Sequence, residues 1–230
     1  MMLTKQLIAS LFCAACLTTA GGARQQPQTQ PATPPKTEPT PAKKNARPEG
    51  TDVETPAEPF DKATVAEMSK QCVTLDTEAG AILIEMLPEA APETVRNFLN
   101  LAATGAYDTT TFSRVVRGFV VQGGNLSTRE KFTPELIKRM TRTVADEPSA
   151  VKHVRGVVSM ARTDEANSAT THFFILVGNG SHLDGTFAAF GRVRAGMDVA
   201  DAINAAEVEG DKPKKPVRLK RATVAPCPTN

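Results

Sequence analysis

Short apolar runs separated by glycine, proline and polar residues dominate the C-terminal two thirds of the chain, and most are too short to be helices. Cys72-Val-Thr-Leu-Asp-Thr and Ala81-Ile-Leu-Ile-Glu-Met-Leu87 flank the turn Glu78-Ala-Gly80, which predicts a β-hairpin. Phe112-Ser-Arg-Val-Val-Arg-Gly-Phe-Val-Val-Gln-Gly-Gly124 holds two β-branched runs joined at Gly118, where glycine permits a bulge or a change of facing. Gly156 to Arg162, Thr170 to Gly178 and His182 to Gly191 give further short runs. Between Thr171 and Val177 alternation sets His172, Phe174 and Leu176 on one face and Phe173, Ile175 and Val177 on the other. Helical spacing appears at Val95, Phe98, Leu99 and Ala102, opened by Pro92 and closed by Gly105. A second main helix is predicted over Val199 to Ala206, a short one from Thr133-Pro134-Glu135 through Met140, and another over Asp61 to Lys70. The pattern is mainly β, with two principal helices.

The first 59 residues read differently. Lys5 precedes an apolar run from Leu7 to Leu17, too short for a bilayer, which needs about 20 residues. Residues 1–23 form an export leader on this reading. It has two candidate endings, cleavage at Gly21-Gly22-Ala23 or a lipidated N-terminus at Cys16, and either takes the mature chain out of the cytosol. Residues 24–59 are rich in Pro, Thr, Gln, Lys and Glu. So little apolar area cannot offset the entropy of ordering, so the segment is expected to be a disordered tether. Residues 60–70 form a short helical extension and residues 71–230 the folded domain.

Composition then narrows the function classes. The net charge of +2, the absence of tryptophan and the single tyrosine, Tyr107, argue against nucleic acid as a partner. The basic residues from Lys212 to Arg221 alternate with prolines and aliphatics, as a solvated face would. Two cysteines remain beyond the leader, and with three scattered histidines they show no zinc spacing. No Gly-x-Ser-x-Gly elbow supports a hydrolase built on Ser159, Ser168 or Ser181. Gly123-Gly124 and Gly178-Asn-Gly180 lack the following helix and lysine of a phosphate cradle. Arg114 remains unusual, because an arginine inside an apolar strand pair is costly unless something uses it.

Taken in order, the blocks around Arg114, Ser159, Phe174 and Leu183, with Ala91-Pro-Glu-Thr-Val-Arg-Asn-Phe98 before them and Gly196-Met-Asp-Val-Ala-Asp201 after them, resemble the cyclophilin family of peptidyl-prolyl cis-trans isomerases. The resemblance runs from about Gln71 to about Ala225. It implies a closed eight-stranded antiparallel barrel capped by two helices, no cofactor and no metal, proline-containing polypeptides as partners, and a monomer. By resemblance Arg114 is the catalytic cation and Gln122 the amide that positions it. Phe119, Phe174 and Leu183 are walls of a proline pocket, with Val120 a shorter wall where the family often has methionine. Ala161 and the backbone at Arg162 belong to the strand that pairs with the peptide. His172 stands for the family's usual glutamine, and is expected to titrate near neutral pH. His182 stands for the tryptophan of cyclosporin-sensitive members, which implies weak cyclosporin binding, and Phe187 for a histidine. The barrel would also make the strands that begin at Cys72 and end at Cys227 antiparallel neighbours. That implies a disulfide between them, with two free thiols as the alternative. The rival to catalysis is a module that only holds proline segments of exported proteins.

Overall fold

A computed structural model describes residues 57–229; the leader and nearly all of the tether lie outside the described residues. Eight strands form one antiparallel sheet: β1 (Gln71–Thr77), β2 (Gly80–Met86), β3 (Arg114–Val116), β4 (Val120–Gly123), β5 (Val157–Met160), β6 (Phe173–Leu176), β7 (Ala189–Ala195) and, last in the chain, β10 (Leu219–Pro226). Their spatial order is β10-β1-β2-β7-β5-β6-β4-β3. Two short strands, β8 (Val208–Glu209) and β9 (Lys212–Pro213), make a separate hairpin.

The described residues hold four α-helices, α1 (Val65–Met68), α2 (Pro92–Ala103), α3 (Pro134–Thr141) and α4 (Met197–Asn204). The two principal helices expected from spacing are α2 and α4. Val95, Phe98, Leu99 and Ala102 of α2 are buried, and α2 packs on β7 and β10 while α4 packs on β2 and β4. The core inside the sheet is aromatic at its centre. Phe98 meets Tyr107, Phe173 and Phe190 with ring centroids 5.3, 5.2 and 4.7 Å away.

The expected closed barrel is replaced by an open ladder. Edge strands β3 and β10 do not pair as strands; an isolated bridge between Thr111 and Arg218 spans the seam instead. Competition for the edge explains this. The Val115 amide of β3 donates to the carbonyl of Asp211 at 2.8 Å, so the β8–β9 hairpin takes the edge that β10 would need. Pro216, just ahead of β10, has no amide to offer.

The first helix is also shorter than expected from residues 61–70. Thr64 and Glu67 form a reciprocal cap that starts α1 at Val65. The carbonyls of Phe60 and Ala63 each accept from the Arg96 guanidinium of α2 at 2.7 Å, and the Phe60 amide donates to Asn100 Oδ1 at 2.7 Å. That segment is held as a turn against α2, with the Asp61 and Ala63 amides donating to the carbonyls of Glu58 and Phe60, so its backbone groups find partners outside a helix. Cys72 and Cys227 are joined by a disulfide with Cα atoms 4.8 Å apart, and it ties β1 to the end of β10.

Candidate active-site groove

In an antiparallel ladder, residues directly opposite share a face. Arg114 lies opposite Gln122, Gln122 opposite Phe174, and Phe174 opposite Ser159. One row across four strands therefore carries a cation, an amide and a ring on the outer face of the sheet. The neighbouring row, Val116, Val120 and Leu176, is apolar and packs with Phe174 in a small cluster separate from the main core. Phe173, Ile175 and Val177 point inward to that core, as the alternation requires.

The turn between β3 and β4 fixes one wall. Gly118 has φ +71°, a conformation that side chains other than glycine's adopt at a cost. Asn204, buried at the end of α4, clasps this turn: its Oδ1 accepts from the Gly118 amide at 2.8 Å, and its Nδ2 donates to the carbonyls of Val116 and Val120 at 2.9 and 3.1 Å. The Phe119 carbonyl accepts from the Val177 amide at 2.9 Å, which sets Phe119 at the groove's edge. Close approach leaves no room at Gly178, where a Cβ would sit 2.1 Å from the Gly118 oxygen.

The opposite wall comes from the single-turn helix Ser181–Leu183 and the loop that follows it. Leu183 and Phe187 line the groove together with Ala161, Arg162 and Val120; its volume, counted out into open solvent, is about 450 Å³. Phe187 meets Phe174 edge-on at 6.1 Å, and the Arg162 guanidinium sits 5.0 Å over the Phe187 ring. Arg162 Nε lies 3.8 Å from Asp146, a longer-range ion pair rather than a hydrogen bond.

Nine of the residues singled out by resemblance thus line one groove: Arg114, Phe119, Val120, Gln122, Ala161, Arg162, Phe174, Leu183 and Phe187. His172 and His182 stand outside that lining. The exposed His182 ring leans on Phe119 at 5.1 Å, on the rim. His172 is half-buried, and its carbonyl accepts from the Ala161 amide at 2.9 Å. Burial pushes its imidazole below the usual histidine range, because the charged form loses solvation.

The partner of Arg114 is a residue that the sequence reading passed over. Asp211 Oδ2 accepts from Arg114 Nε at 3.1 Å and from Nη2 at 2.9 Å, and both side chains are about half exposed. Gln122 faces Arg114 across the ladder, but the charged anchor of the guanidinium is this carboxylate. A turn signal was available in Glu209-Gly210-Asp211; its proximity to Arg114, 97 residues earlier, was not.

Such a groove can hold an apolar ring among Phe119, Phe174, Leu183 and Phe187, with a cation at its lip. Among the described residues no group of three or more His, Cys, Asp or Glu is arranged to hold a metal ion. Residues 72–224 match the family described as cyclophilin type peptidyl-prolyl cis-trans isomerase/CLD. The chain is 36% identical over 164 residues to peptidyl-prolyl cis-trans isomerase A of Dickeya dadantii, covering 66% of this chain and 83% of that protein. It is 37% identical over 168 residues to peptidyl-prolyl cis-trans isomerase B of Escherichia coli, covering 66% and 99%. The crystal structure of a Cryptosporidium parvum cyclophilin type peptidyl-prolyl cis-trans isomerase superposes with TM-score 0.61 at 26% identity, covering 69% of this chain and 99% of that one. The same protein in the presence of the dipeptide Ala-Pro gives TM-score 0.59 at 26% identity, covering 67% and 98%. The chain therefore belongs to the cyclophilin-type peptidyl-prolyl cis-trans isomerase family, and its activity is peptidyl-prolyl cis-trans isomerisation.

Proposed function

We propose that this isomerase acts on X-Pro bonds of exported polypeptides, with Arg114 as its central residue. Rotation is slow because the nitrogen lone pair is delocalised into the carbonyl; the barrier is about 20 kcal/mol. Bringing tens of seconds down to milliseconds requires about 5–6 kcal/mol. A charge-assisted hydrogen bond toward the imide nitrogen supplies about 1.5–3 kcal/mol by localising that lone pair. The remainder comes from a groove that fits the twisted bond better than either planar form. Asp211 engages two of the donor directions of the guanidinium; the fork has five N–H donors in all, so three stay available for the substrate. Phe119, Phe174 and Leu183 seat the proline ring, and Gln122 meets the neighbouring carbonyl. The observation that carries this reading is that the cation and the ring-lined hollow share one groove.

The leader and the proline-rich tether support an exported client pool and a domain held away from a surface. Cleavage after residue 23 or a lipid at Cys16 would both serve, and the domain acts as a monomer on this reading. The test is cis-trans exchange in a short Ala-Pro peptide followed by NMR. The parent accelerates exchange, and Arg114→Ala slows it at least about tenfold, the equivalent of one charge-assisted hydrogen bond. A folded parent that binds the peptide without accelerating exchange would instead make the domain a holding module. Fractionation of producing cells tests export separately: recovery only from the cytosol would end that part of the reading.

A further inference from the structure

Beneath the far wall of the groove lies a buried set of polar side chains that the isomerisation chemistry does not use. The His153 side chain is fully buried. Its Nδ1 lies 3.1 Å from Asp184 Oδ1, and the same oxygen accepts from the His153 amide at 2.8 Å. A carboxylate only accepts, so Asp184 places the ring proton on Nδ1. On the other side His153 Nε2 lies 3.2 Å from Ser159 Oγ, whose single hydroxyl proton is shared between that ring nitrogen and the Ala188 carbonyl, 2.7 Å away. The His153 carbonyl in turn accepts from the Gly180 amide at 2.9 Å.

The order resembles a hydrolytic triad, but Ser159 has no exposed surface, so no substrate carbonyl reaches its oxygen. What the set does reach is the wall loop. Gly180 and Asp184 hold its beginning and Ala188 its end, and between them stand Leu183 and Phe187. Ser159 also sits opposite Phe174 in the ladder. The ring is clamped between Asp184 in the wall and Ser159, whose hydroxyl reaches Ala188 at the wall's end, so the wall is tied to the strand under it.

We infer that His153, Asp184 and Ser159 act as one positioning unit that sets the Leu183–Phe187 wall, and thereby the affinity of the groove for a proline-containing segment. This rests on the reading of the groove as the prolyl site. The expected signature is a binding defect with little change in the rate of the bound step, because the unit touches the wall and not the guanidinium.

The test uses the mature chain with a short Ala-Pro peptide, reading affinity and bound-state exchange separately by NMR line shapes, with circular dichroism to establish folding. Asp184→Ala is expected to weaken binding about tenfold while bound-state exchange stays within about twofold of the parent. Asp184→Asn keeps an acceptor oxygen but loses the charge that faces Lys152, 3.3 Å away; it is expected to recover binding to within about threefold of the parent. The pair His153→Gln and Asp184→Ala together should weaken binding no more than either alone, since each breaks the same unit. Because Asp184 lies at the edge of the buried set, its variants keep the test open even if His153→Gln does not fold. Parent-like binding by folded Asp184→Ala overturns the inference, as does an Asn variant as weak as the Ala variant, which would make charge and not wall-holding the cause. Arg114→Ala separates the two levels. If it exchanges as fast as the parent, the prolyl-site reading itself fails. If it is slow while Asp184→Ala binds normally, only the positioning unit falls.

Discussion

Phe173 and Phe174 are consecutive residues on one strand, and they serve opposite ends. Phe173 faces inward, fully buried, with edge-on contacts to Phe98 and Tyr107 at 5.2 and 5.4 Å. Phe174 faces outward into a smaller cluster with Val120, Val157, Leu176 and Ala189 and meets Phe187 edge-on at 6.1 Å beside an open hollow. Both are nearly buried, so burial alone does not separate a core ring from a site ring. What separates them is whether the surrounding groups close over it. Removing Phe173 should therefore cost stability, about 3–5 kcal/mol for Phe173→Ala by denaturant unfolding, with activity falling only as the folded fraction falls. Phe174→Ala should cost less than half as much stability and lose affinity for an Ala-Pro peptide instead. Equal losses of stability at the two positions would break the distinction.

The ends of the domain supply a second contrast, between a covalent tie and the hydrogen-bonded seam. The Cys72–Cys227 disulfide closes a loop with a sequence separation of 155. The seam between β3 and β10 is bridged only near Thr111 and Arg218. A cross-link over so long a loop restricts the unfolded chain strongly, so the double variant Cys72→Ser, Cys227→Ser should lose about 2–5 kcal/mol of unfolding free energy. Because the site lies on the other side of the sheet order, peptide exchange by the folded variant should match the parent. A comparable drop in exchange would tie the groove to the strand ends.

Much of this was legible along the chain because it is local. Alternation in Thr171–Val177 and helical spacing in α2 are short-range patterns, and both faces came out as the periodicity set them. Family resemblance added which side chains to look for around the groove. The open seam was not legible, since it depends on which of two distant segments takes the Val115 amide. Asp211 and Asn204 were missed for the same reason: each acts on the β3–β4 hairpin from about 90 residues away, 97 and 86 respectively in their closest bonds. His153 was visible as a residue, but nothing local announces a ring clamped between Asp184 and Ser159.

Asp211 offers a smaller effect than either the rings or the disulfide. Its pair with Arg114 is half exposed on both sides, and such pairs contribute about 0–1 kcal/mol. Asp211→Asn should therefore lower the catalytic efficiency by no more than about fivefold, through a guanidinium that wanders from the lip of the groove. Added salt should shrink the difference between parent and variant, because screening acts on the parent's pair alone. A loss as large as that of Arg114→Ala would mean that the carboxylate does more than orient.

The smallest expected effect concerns His172. Burial lowers its pKa from an ordinary value of 6.5, so the folded protein prefers the neutral ring. Between that lowered value and the unfolded one, the unfolded chain binds more protons, and stability rises with pH. The folded state therefore loses stability as pH falls from about 7 through the range below 6.5, and the loss levels off once the folded-state group is itself protonated. Against a His172→Gln reference, which cannot titrate, the parent should melt at a relatively lower temperature near pH 5 than near pH 7.5, and the gap should be constant above about pH 7. The opposite slope, with the parent gaining on the glutamine variant in acid, would require a charged ring held by an anion. It would place His172 in the electrostatics of the groove instead of at its buried margin.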